Sequence, residues 1–584
     1  MVIIARPVSV FVKKEKDIRA LCLRRTHTIK DVLSAMTKNN PQETNIPAGI
    51  ALVTDIGGKL LGLVTDGDIR RALAKGARMM TPLAEIMNKD AFVIVSPKDH
   101  ATVLSLVNDE IRNRGVHQHR YDKIIIVDEA RHVTDVLSFY DLWQGSDIRF
   151  KKIGVAGLGY VGLTLGLTLA DLGFKVVGVD INAKTRSIIK EKKSPFYEEG
   201  IDALLSDHVG KKFIVSENFE GANRCDVYFI AVGTPIGEDN IPNLSYLEEA
   251  TRNIGKVLKR GDIVILRSTV PLGTTRNSIV PLLEAVSGLR GGEDFFAVFA
   301  PERTIEGQAL AELRTLPQVI GGINQASSNL AASIFSTMTK SLAIVDSTEE
   351  AEVVKLINNT YRDVTFAFAN EVSMVCQKWK IDTNKVIEAA NMGYARSNVP
   401  KPSPGVGGYC LVKDPLIFAH GARVAGYEPK LFEYARAVNE RILSTLAEDV
   451  IAHLNTLTTR QKSKIFILGF AFKGNPPTSD LRGSTTVTLA KNLMERGYAN
   501  IYGYDPVVPK EELETLGIKV VKKVEDGFQN ADAILVMNNH PALKELPVRA
   551  LMAKAHIGAA LFDTWALYTK EEVLKTKGIS YRRL

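Results

Sequence analysis

Four cysteines in 584 residues are few, and Cys22, Cys225, Cys376 and Cys410 show no paired spacing. That excludes a disulfide framework and a cysteine-based zinc site, so no metal is expected and a reducing cytoplasm is the predicted compartment. No apolar run reaches the roughly 18–20 residues a spanning helix needs, and the N-terminus carries no signal-peptide pattern. No membrane partner is expected. Runs of basic residues with interleaved aromatics are also missing, and the net charge of +8 is modest for this length, so no nucleic-acid partner is expected either. An apolar content of 45% and a charged content of 24% are ordinary for a soluble chain. The length exceeds one core and predicts several domains.

What is present begins with an internal repeat. Ile50-Ala-Leu-Val-Thr-Asp55 and Ile124-Ile-Ile-Val-Asp128 are short apolar runs ending in Asp. Each precedes a second strand and a helix start, Gly62-Leu-Val-Thr65-Asp-Gly-Asp68 and Val133-Thr-Asp-Val-Leu-Ser138-Phe-Tyr-Asp141. The offsets agree, 128 − 55 = 73 and 138 − 65 = 73, which predicts two packed half-domains within residues 1–146. Ser/Thr-x-x-Asp at a helix start can close a capping box. It can also receive a phosphate on its hydroxyl and free N–H groups while the carboxylate accepts ribose hydroxyls. Two copies at one register favour the second use for Thr65, Asp68, Ser138 and Asp141. The region resembles a tandem pair of CBS domains, most clearly in Gly62-Leu-Val-Thr-Asp-Gly-Asp-Ile-Arg-Arg-Ala-Leu73. The resemblance implies a regulatory site for an adenine nucleotide, AMP or ATP; a purely architectural role is the alternative.

From residue 150 to 345 the pattern changes to alternating strands and helices. Lys152-Ile-Gly-Val-Ala-Gly157-Leu-Gly159-Tyr160-Val161-Gly162 is a buried strand that runs into G-x-G-x-x-G and an Ala/Leu-rich helix. Phe174-Lys-Val-Val-Gly-Val-Asp180 is the next strand and ends in an acid. Strand, glycines, helix, strand and terminal Asp in this order form a dinucleotide fingerprint. The turn residues Gly157, Gly159, Tyr160, Val161 and Gly162 would meet a pyrophosphate. Asp180 would accept a ribose 2′-hydroxyl and repel a 2′-phosphate, so NAD is predicted over NADP. Further strands end in Gly233-Thr234-Pro235, Ser268-Thr269-Val-Pro271 and Pro301-Glu302-Arg-Thr-Ile-Glu306-Gly307. Ligands bind at such carboxyl ends in open parallel sheets.

Residues 346–455 read as a helical middle. A long helix is predicted from Ser347 to about Lys378, buried beyond Arg362, with Lys355 and Asn359 stacked at i and i+4. A buried lysine implies either an ion pair with a glutamate or a site residue. Residues 460–584 form a second α/β pattern. Its turn, Gly469-Phe-Ala-Phe472-Lys473-Gly474, lacks the middle glycine and carries a bulky phenylalanine. A dinucleotide fits poorly there, whereas Lys473 and Arg482 suit the diphosphate of a smaller nucleotide.

Gly405-Val-Gly-Gly-Tyr-Cys410-Leu-Val-Lys-Asp414 places one cysteine after a glycine loop at a helix start. The positive end of the helix dipole predicts a lowered thiol pKa there, and Asp414 lies one turn on, on the same face. A small apolar cysteine in a tight turn is the plainer alternative.

Taken together, residues 150–584 resemble the UDP-glucose/GDP-mannose dehydrogenase family. The match runs through the glycine fingerprint, Val232-Gly-Thr-Pro, Ser268-Thr-Val-Pro, Pro301-Glu-Arg-Thr-Ile-Glu-Gly, Lys355 with Asn359, Asn370-Glu371, Gly407-Gly-Tyr-Cys-Leu-Val-Lys-Asp414 and Gly469-Phe-Ala-Phe-Lys473. It implies an α/β fold with two Rossmann-like doubly wound domains joined by a long central helix, preceded by the CBS pair. It further implies a four-electron oxidation of a nucleotide sugar at C6, with two NAD used in succession. Cys410 would hold the aldehyde as a thiohemiacetal and then as a thioester. Lys355, Asn359 and Asp414 would stabilise the oxyanion, Thr234 would position water, and Glu306 or Glu302 would activate it. Thr234, Thr269 and Arg482 join the expected cofactor contacts; Lys355, Asn359, Arg396, Gly407 and Lys473 are the expected contacts of the UDP-sugar. The segment from Lys355 to Glu371 is most similar to the branch acting on UDP-N-acetylmannosamine or UDP-N-acetylglucosamine, with UDP-glucose and GDP-mannose as alternatives. Surface polysaccharide synthesis and a homodimer or higher oligomer built on the central helix are implied. Two rivals stay open on the residues alone: a non-enzymatic nucleotide sensor, and a two-electron hydroxyacid dehydrogenase, which has no use for a thiol.

Overall fold

The computed structural model describes residues 18–38, 49–89, 93–95, 123–138, 151–237, 239–458 and 460–584. The chain divides into two units, residues 1–150 and 151–584.

In the first unit the repeat is physical. Strands β1 (Cys22–Arg24), β2 (Ile50–Thr54) and β3 (Leu60–Thr65) form one sheet; β4 (Val93–Val95), β5 (Lys123–Val127) and β6 (Val133–Ser138) form another in the same order. The parallel step and the antiparallel hairpin recur in both. Ile50 faces Thr65 and Lys123 faces Ser138, and the register shifts at Val53/Thr54 and at Ile126/Val127. All of these positions differ by the 73 residues read from the sequence. Leu21, Ile50, Leu52, Leu60 and Leu63 share one core with Ile125, Val127 and Val136. Helix α1 (Asp66–Ala74) starts at a complete capping box: the Thr65 hydroxyl accepts from Asp68 N–H, and the Asp68 carboxylate accepts from Thr65 N–H at 2.9 Å. Arg71 closes on Asp68 at 2.6 Å. The capping use of this motif is therefore realised in the first copy. The Ser138 side chain and Asp141 lie outside the described residues.

The second unit holds two large sheets. The first contains β7 (Lys152–Ala156), β8 (Lys175–Val179), β9 (Phe213–Ser216), β10 (Val227–Ile230), β11 (Ile263–Leu266), β12 (Phe296–Phe299), β13 (Gln318–Gly322) and β14 (Leu342–Val345), in the order β14-β13-β12-β11-β10-β7-β8-β9. Only the β12–β13 pairing is antiparallel. The second contains β15 (Ile465–Leu468), β16 (Ile501–Tyr504), β17 (Lys519–Val520), β18 (Ala533–Val536), β19 (Ala560–Asp563) and β20 (Ser580–Arg583), all parallel, in the order β17-β16-β15-β18-β19-β20. Both sheets reverse direction beside their first strand, and that reversal opens the crevice where nucleotides bind. Fully apolar strands such as Ile263-Val-Ile-Leu and Ile465-Phe-Ile-Leu are what a sheet covered on both faces requires.

Three long helices stand between the sheets: α3 (Thr348–Lys378), α4 (Tyr409–Val424) and α5 (Lys430–Leu454), with α3 packed on both others. Ser347 caps α3 by accepting from Glu350 N–H. The predicted burial of this helix beyond Arg362 holds for one face only. Ala367, Asn370, Ser373 and Cys376 are buried, whereas Phe368 and Val375 are 58% and 55% exposed, as is Tyr361 just before this stretch, at 65%. The small and polar residues let α4 and α5 approach closely, so the large apolar side chains lie on the outside.

Candidate active site

The dinucleotide turn is built as its glycines require. Helix α2 (Tyr160–Asp171) begins after Gly159. Gly157 has φ +91°, and a Cβ there would stand 2.8 Å from the Ala231 carbonyl oxygen. A Cβ on Gly162 would stand 1.8 Å from the Gly157 carbonyl oxygen, so only glycine lets the helix sit this close to the strand. Gly159 differs: a Cβ there meets nothing within 4 Å. That open space above a helix N-terminus fits a pyrophosphate. At the end of β8, Asp180 accepts from Leu158 N–H at 2.7 Å and from Asn182 N–H at 2.8 Å. Tyr160 and Val161 form the first turn of α2, but the Tyr160 hydroxyl points away from the seat, to Glu198 and Gly307 N–H. Gly159→Ala is expected to leave Tm unchanged and weaken NAD binding about tenfold, since filling a close contact costs over 1 kcal/mol; calorimetry on the same protein reads both.

The second sheet repeats this turn. Gly469 has φ +88°, and at the end of β16 Asp505 accepts from Phe470 and Ala471 N–H at 2.6 and 3.0 Å. Its other oxygen accepts from Val507 and Val508 N–H. Phe472 fills the turn and packs on the cysteine loop: a Cβ on Gly408 would stand 2.7 Å from its ring.

Cys410 is the second residue of α4, behind Gly408 at φ +90°. The residue is exposed, and the helix start is where the sequence predicted it. The thiol pKa moves the other way. The groups crowded round the sulfur withdraw solvent from it, and with the Asp414 carboxylate they push the pKa up; the Lys355 and Lys413 ammoniums only partly oppose this. The resting group is a thiol, and the predicted lowering by the helix dipole is overridden. Asp414, Lys355, Lys413 and Glu306 thus lie near enough to bear electrostatically on this sulfur.

Asp414 is fully buried. Asn359 Nδ2 donates to its Oδ2 at 2.5 Å, and Lys413 Nζ stands 3.2 Å from its Oδ1. Lys355 donates to the carbonyl oxygen of Glu302 at 2.7 Å. Its hydrogen bond is thus to backbone, in place of the alternative ion pair with a glutamate carboxylate. Lys413, itself buried, also donates to Thr234 Oγ1 at 3.2 Å, and Thr234 donates to the Thr269 carbonyl at 2.7 Å. Lys413 and Tyr409, whose ring centre lies 5.2 Å from Lys413 Nζ and 5.0 Å from the Arg482 guanidinium, were absent from the predicted site. The i+3 spacing of Lys413 from Cys410 was the available signal.

The two glutamates separate cleanly. Burial would raise Glu302, but the fully buried Arg267 guanidinium that contacts it, together with Thr304 N–H, holds its carboxyl below the ordinary value. Glu302 Oε1 also accepts from Arg303 and Thr304 N–H at 2.8 and 2.9 Å, so this carboxylate is closed into its own turn. Burial, reinforced by Asp480, pushes Glu306 up to about 7 against Arg482 and Lys473. Thr478 Oγ1 and Arg482 Nη2 lie 3.4 and 3.6 Å from its carboxyl oxygens, and Lys473 donates to its carbonyl at 2.5 Å. Burial pulls Lys473 down to about 8, with Glu306 opposing. Arg482 is held mainly by Asp480, at 2.7 Å. Gly407 lies against the second sheet's loop, where a Cβ would stand 2.7 Å from the Gly483 carbonyl oxygen. Arg396 is exposed over the Tyr394 ring at 4.8 Å and joins none of these contacts.

Residues 151–339, 349–441 and 466–570 match, in turn, the NAD binding, central and UDP binding domains of one family. The chain belongs to the UDP-glucose/GDP-mannose dehydrogenase family. It is an NAD-dependent nucleotide-sugar dehydrogenase, and residues 16–75 match a CBS domain. The chain is 34% identical over 399 residues to the UDP-N-acetyl-D-mannosamine dehydrogenase of Pyrococcus horikoshii, covering 68% of this chain and 91% of the relative. It is 32% identical over 423 residues to the UDP-N-acetyl-D-glucosamine 6-dehydrogenase of Pseudomonas aeruginosa, covering 70% and 96%. A solved structure of UDP-D-ManNAc dehydrogenase from Pyrococcus horikoshii superposes with TM-score 0.67 at 31% identity, over 74% of this chain and 98% of that one. No described helix of the dehydrogenase is long and apolar enough to cross a membrane.

Proposed function

We propose that this dehydrogenase oxidises the C6 hydroxymethyl group of a UDP-N-acetylhexosamine, UDP-N-acetylmannosamine or UDP-N-acetylglucosamine, to the carboxylate through a covalent stage on Cys410. The observation that carries this is a cysteine in the first turn of α4 backed by the buried cluster of Asn359, Asp414 and Lys413, with Lys355 and Glu306 near enough to bear on its sulfur. A two-electron oxidation of an alcohol has no use for such a thiol. NAD, held over Gly157–Gly162 with its ribose at Asp180, supplies the hydride acceptor for each oxidation. The Cys410 sulfur bonds to the aldehyde carbon and the thiol proton ends on the new hydroxyl. Loss of a hydride and that proton gives the thioester. Lys355, held in place by the Glu302 carbonyl, stabilises the oxygen as charge develops; Asn359 and Lys413 keep Asp414 beside it. Glu306 then takes a proton from water, the water oxygen bonds to the acyl carbon, and the carbon–sulfur bond breaks to return the thiolate. Glu306, whose pKa lies near the working pH, suits a general base better than Glu302, which Arg267 keeps ionised and occupied.

An NADH count on a panel of UDP-N-acetylmannosamine, UDP-N-acetylglucosamine, UDP-glucose and GDP-mannose tests the reading. Two NADH per sugar consumed, with an acidic product, is expected on the first or second; one NADH per sugar, or none, overturns it. The pH profile follows from two groups. Glu306 must lose its proton, so kcat/KM is expected to rise through about pH 7; Lys473 must keep its proton on the diphosphate, so it falls above about pH 8. A flat profile from about pH 6 to about pH 9, roughly one unit beyond each value, is the contrary result.

The exposed Tyr361, Phe368 and Val375 recur every seven residues along α3, a stripe suited to the same helix of a second copy. Phe368→Glu is expected to shift a dimer to monomer in light scattering. At the CBS unit, an adenine nucleotide would compete with the Thr65–Asp68 capping box for the same groups. AMP or ATP is therefore expected to change turnover, and Asp68→Ala to abolish that response. No disulfide joins the four cysteines, which suits a reducing cytoplasm. A UDP-linked uronic acid is a donor for surface polysaccharide synthesis.

A further inference from the structure

We infer that Tyr160 and Glu198 are positioning residues for Glu306: they join the first turn of the dinucleotide helix to the loop that carries this carboxyl group. The inference rests on the reading of Glu306 as the base of thioester hydrolysis. Tyr160 follows Gly159, the residue whose open side receives the pyrophosphate. Its ring packs at a tilt against Phe196, centroids 4.4 Å apart, and its hydroxyl donates to Glu198 Oε2 while accepting from Gly307 N–H. Glu198 is 4% exposed and comes from a segment more than a hundred residues earlier in the chain. Its carboxylate accepts from Gly307 N–H at 2.7 Å and Leu310 N–H at 3.2 Å. Burying a carboxylate is costly unless its hydrogen bonds are made, and here they are made to one loop and one phenol. That loop is held on its far side too. A Cβ on Gly307 (φ +90°) would stand 2.3 Å from the Pro477 carbonyl oxygen, while Lys473, Thr478 and Arg482 grip Glu306 itself.

The chain of contact is short: pyrophosphate seat, Tyr160, Gly307, Glu306. A base misplaced by about 1 Å loses up to about 100-fold in rate. The pair therefore fixes where the carboxyl group stands relative to the thioester, and it ties that placement to the turn that binds the cofactor. Burial and Glu198 raise the Tyr160 pKa, so the phenol keeps the proton that it donates.

The test uses the full chain, NAD and UDP-N-acetylmannosamine or UDP-N-acetylglucosamine, whichever is turned over. Acid-quenched samples are weighed as intact protein for an acyl adduct on Cys410, and the NADH burst is followed in parallel. Glu198→Gln is expected to keep the burst, slow steady-state turnover by about 10- to 100-fold and accumulate the adduct. Glu306→Gln is expected to accumulate the same adduct, with hydrolysis down about 100-fold or more. If Glu198→Gln does not fold, Tyr160→Phe, which removes one oxygen, must show the adduct. Wild-type hydrolysis in Glu198→Gln or Tyr160→Phe while Glu306→Gln accumulates adduct overturns the inference alone. No adduct in Glu306→Gln overturns the base assignment and this inference with it.

Discussion

Cys410→Ser is expected to lower net conversion of sugar to acid by on the order of 10⁴-fold, with less than one NADH per enzyme site appearing in the second oxidation. The serine hydroxyl fits the same helix start, so stability and NAD binding change little. What is lost is the chemistry of sulfur. A hydroxyl with an alcohol's pKa adds poorly to the aldehyde, and any ester formed is a worse electrophile than a thioester. The aldehyde is then free to leave, and trapping it with a hydrazine in the Cys410→Ser reaction measures that escape directly. Full turnover by this variant would mean a two-electron enzyme.

Lys355→Met is expected to lower kcat by about 10²- to 10³-fold with a smaller change in KM, the size of losing one oxyanion donor. Methionine keeps the length and apolar stem of the side chain but cannot donate. Lys355 is held by one hydrogen bond to the Glu302 carbonyl; removing its charge also removes a group that lowers the Cys410 pKa. The thiol of Lys355→Met is therefore expected to react more slowly with iodoacetamide at pH 8. An equal alkylation rate in both proteins would place the ammonium away from the sulfur.

Local order carried much of this fold in legible form. The glycine turn with Asp180, the 73-residue repeat and the cysteine at a helix start each depend on neighbours in sequence, and each appears where the pattern set it. What pattern could not supply were contacts made across the chain. Arg267 neutralises Glu302 from 35 residues away and so separates two glutamates that look alike in Pro301-Glu-Arg-Thr-Ile-Glu306. The thiol pKa follows from the company of Asp414 and the enclosure of the sulfur, which the helix dipole does not outweigh. The exposed face of α3 was misread because hydrophobicity alone does not say which apolar residues face inward. Beyond Arg362 the buried residues of that helix are small or polar.

The twin turns differ in a way that counting lone pairs makes plain. A carboxylate offers about four acceptor positions. Asp180 gives one to Leu158 N–H and one to Asn182 N–H, leaving two for the hydroxyls of a ribose. Asp505 has the same place at the end of β16 but takes four N–H groups, from Phe470, Ala471, Val507 and Val508. It is saturated. Two copies of one architecture thus divide their labour by vacancy: the first keeps half its acid open for a guest, while the second spends all of its acid on tying down its own loop.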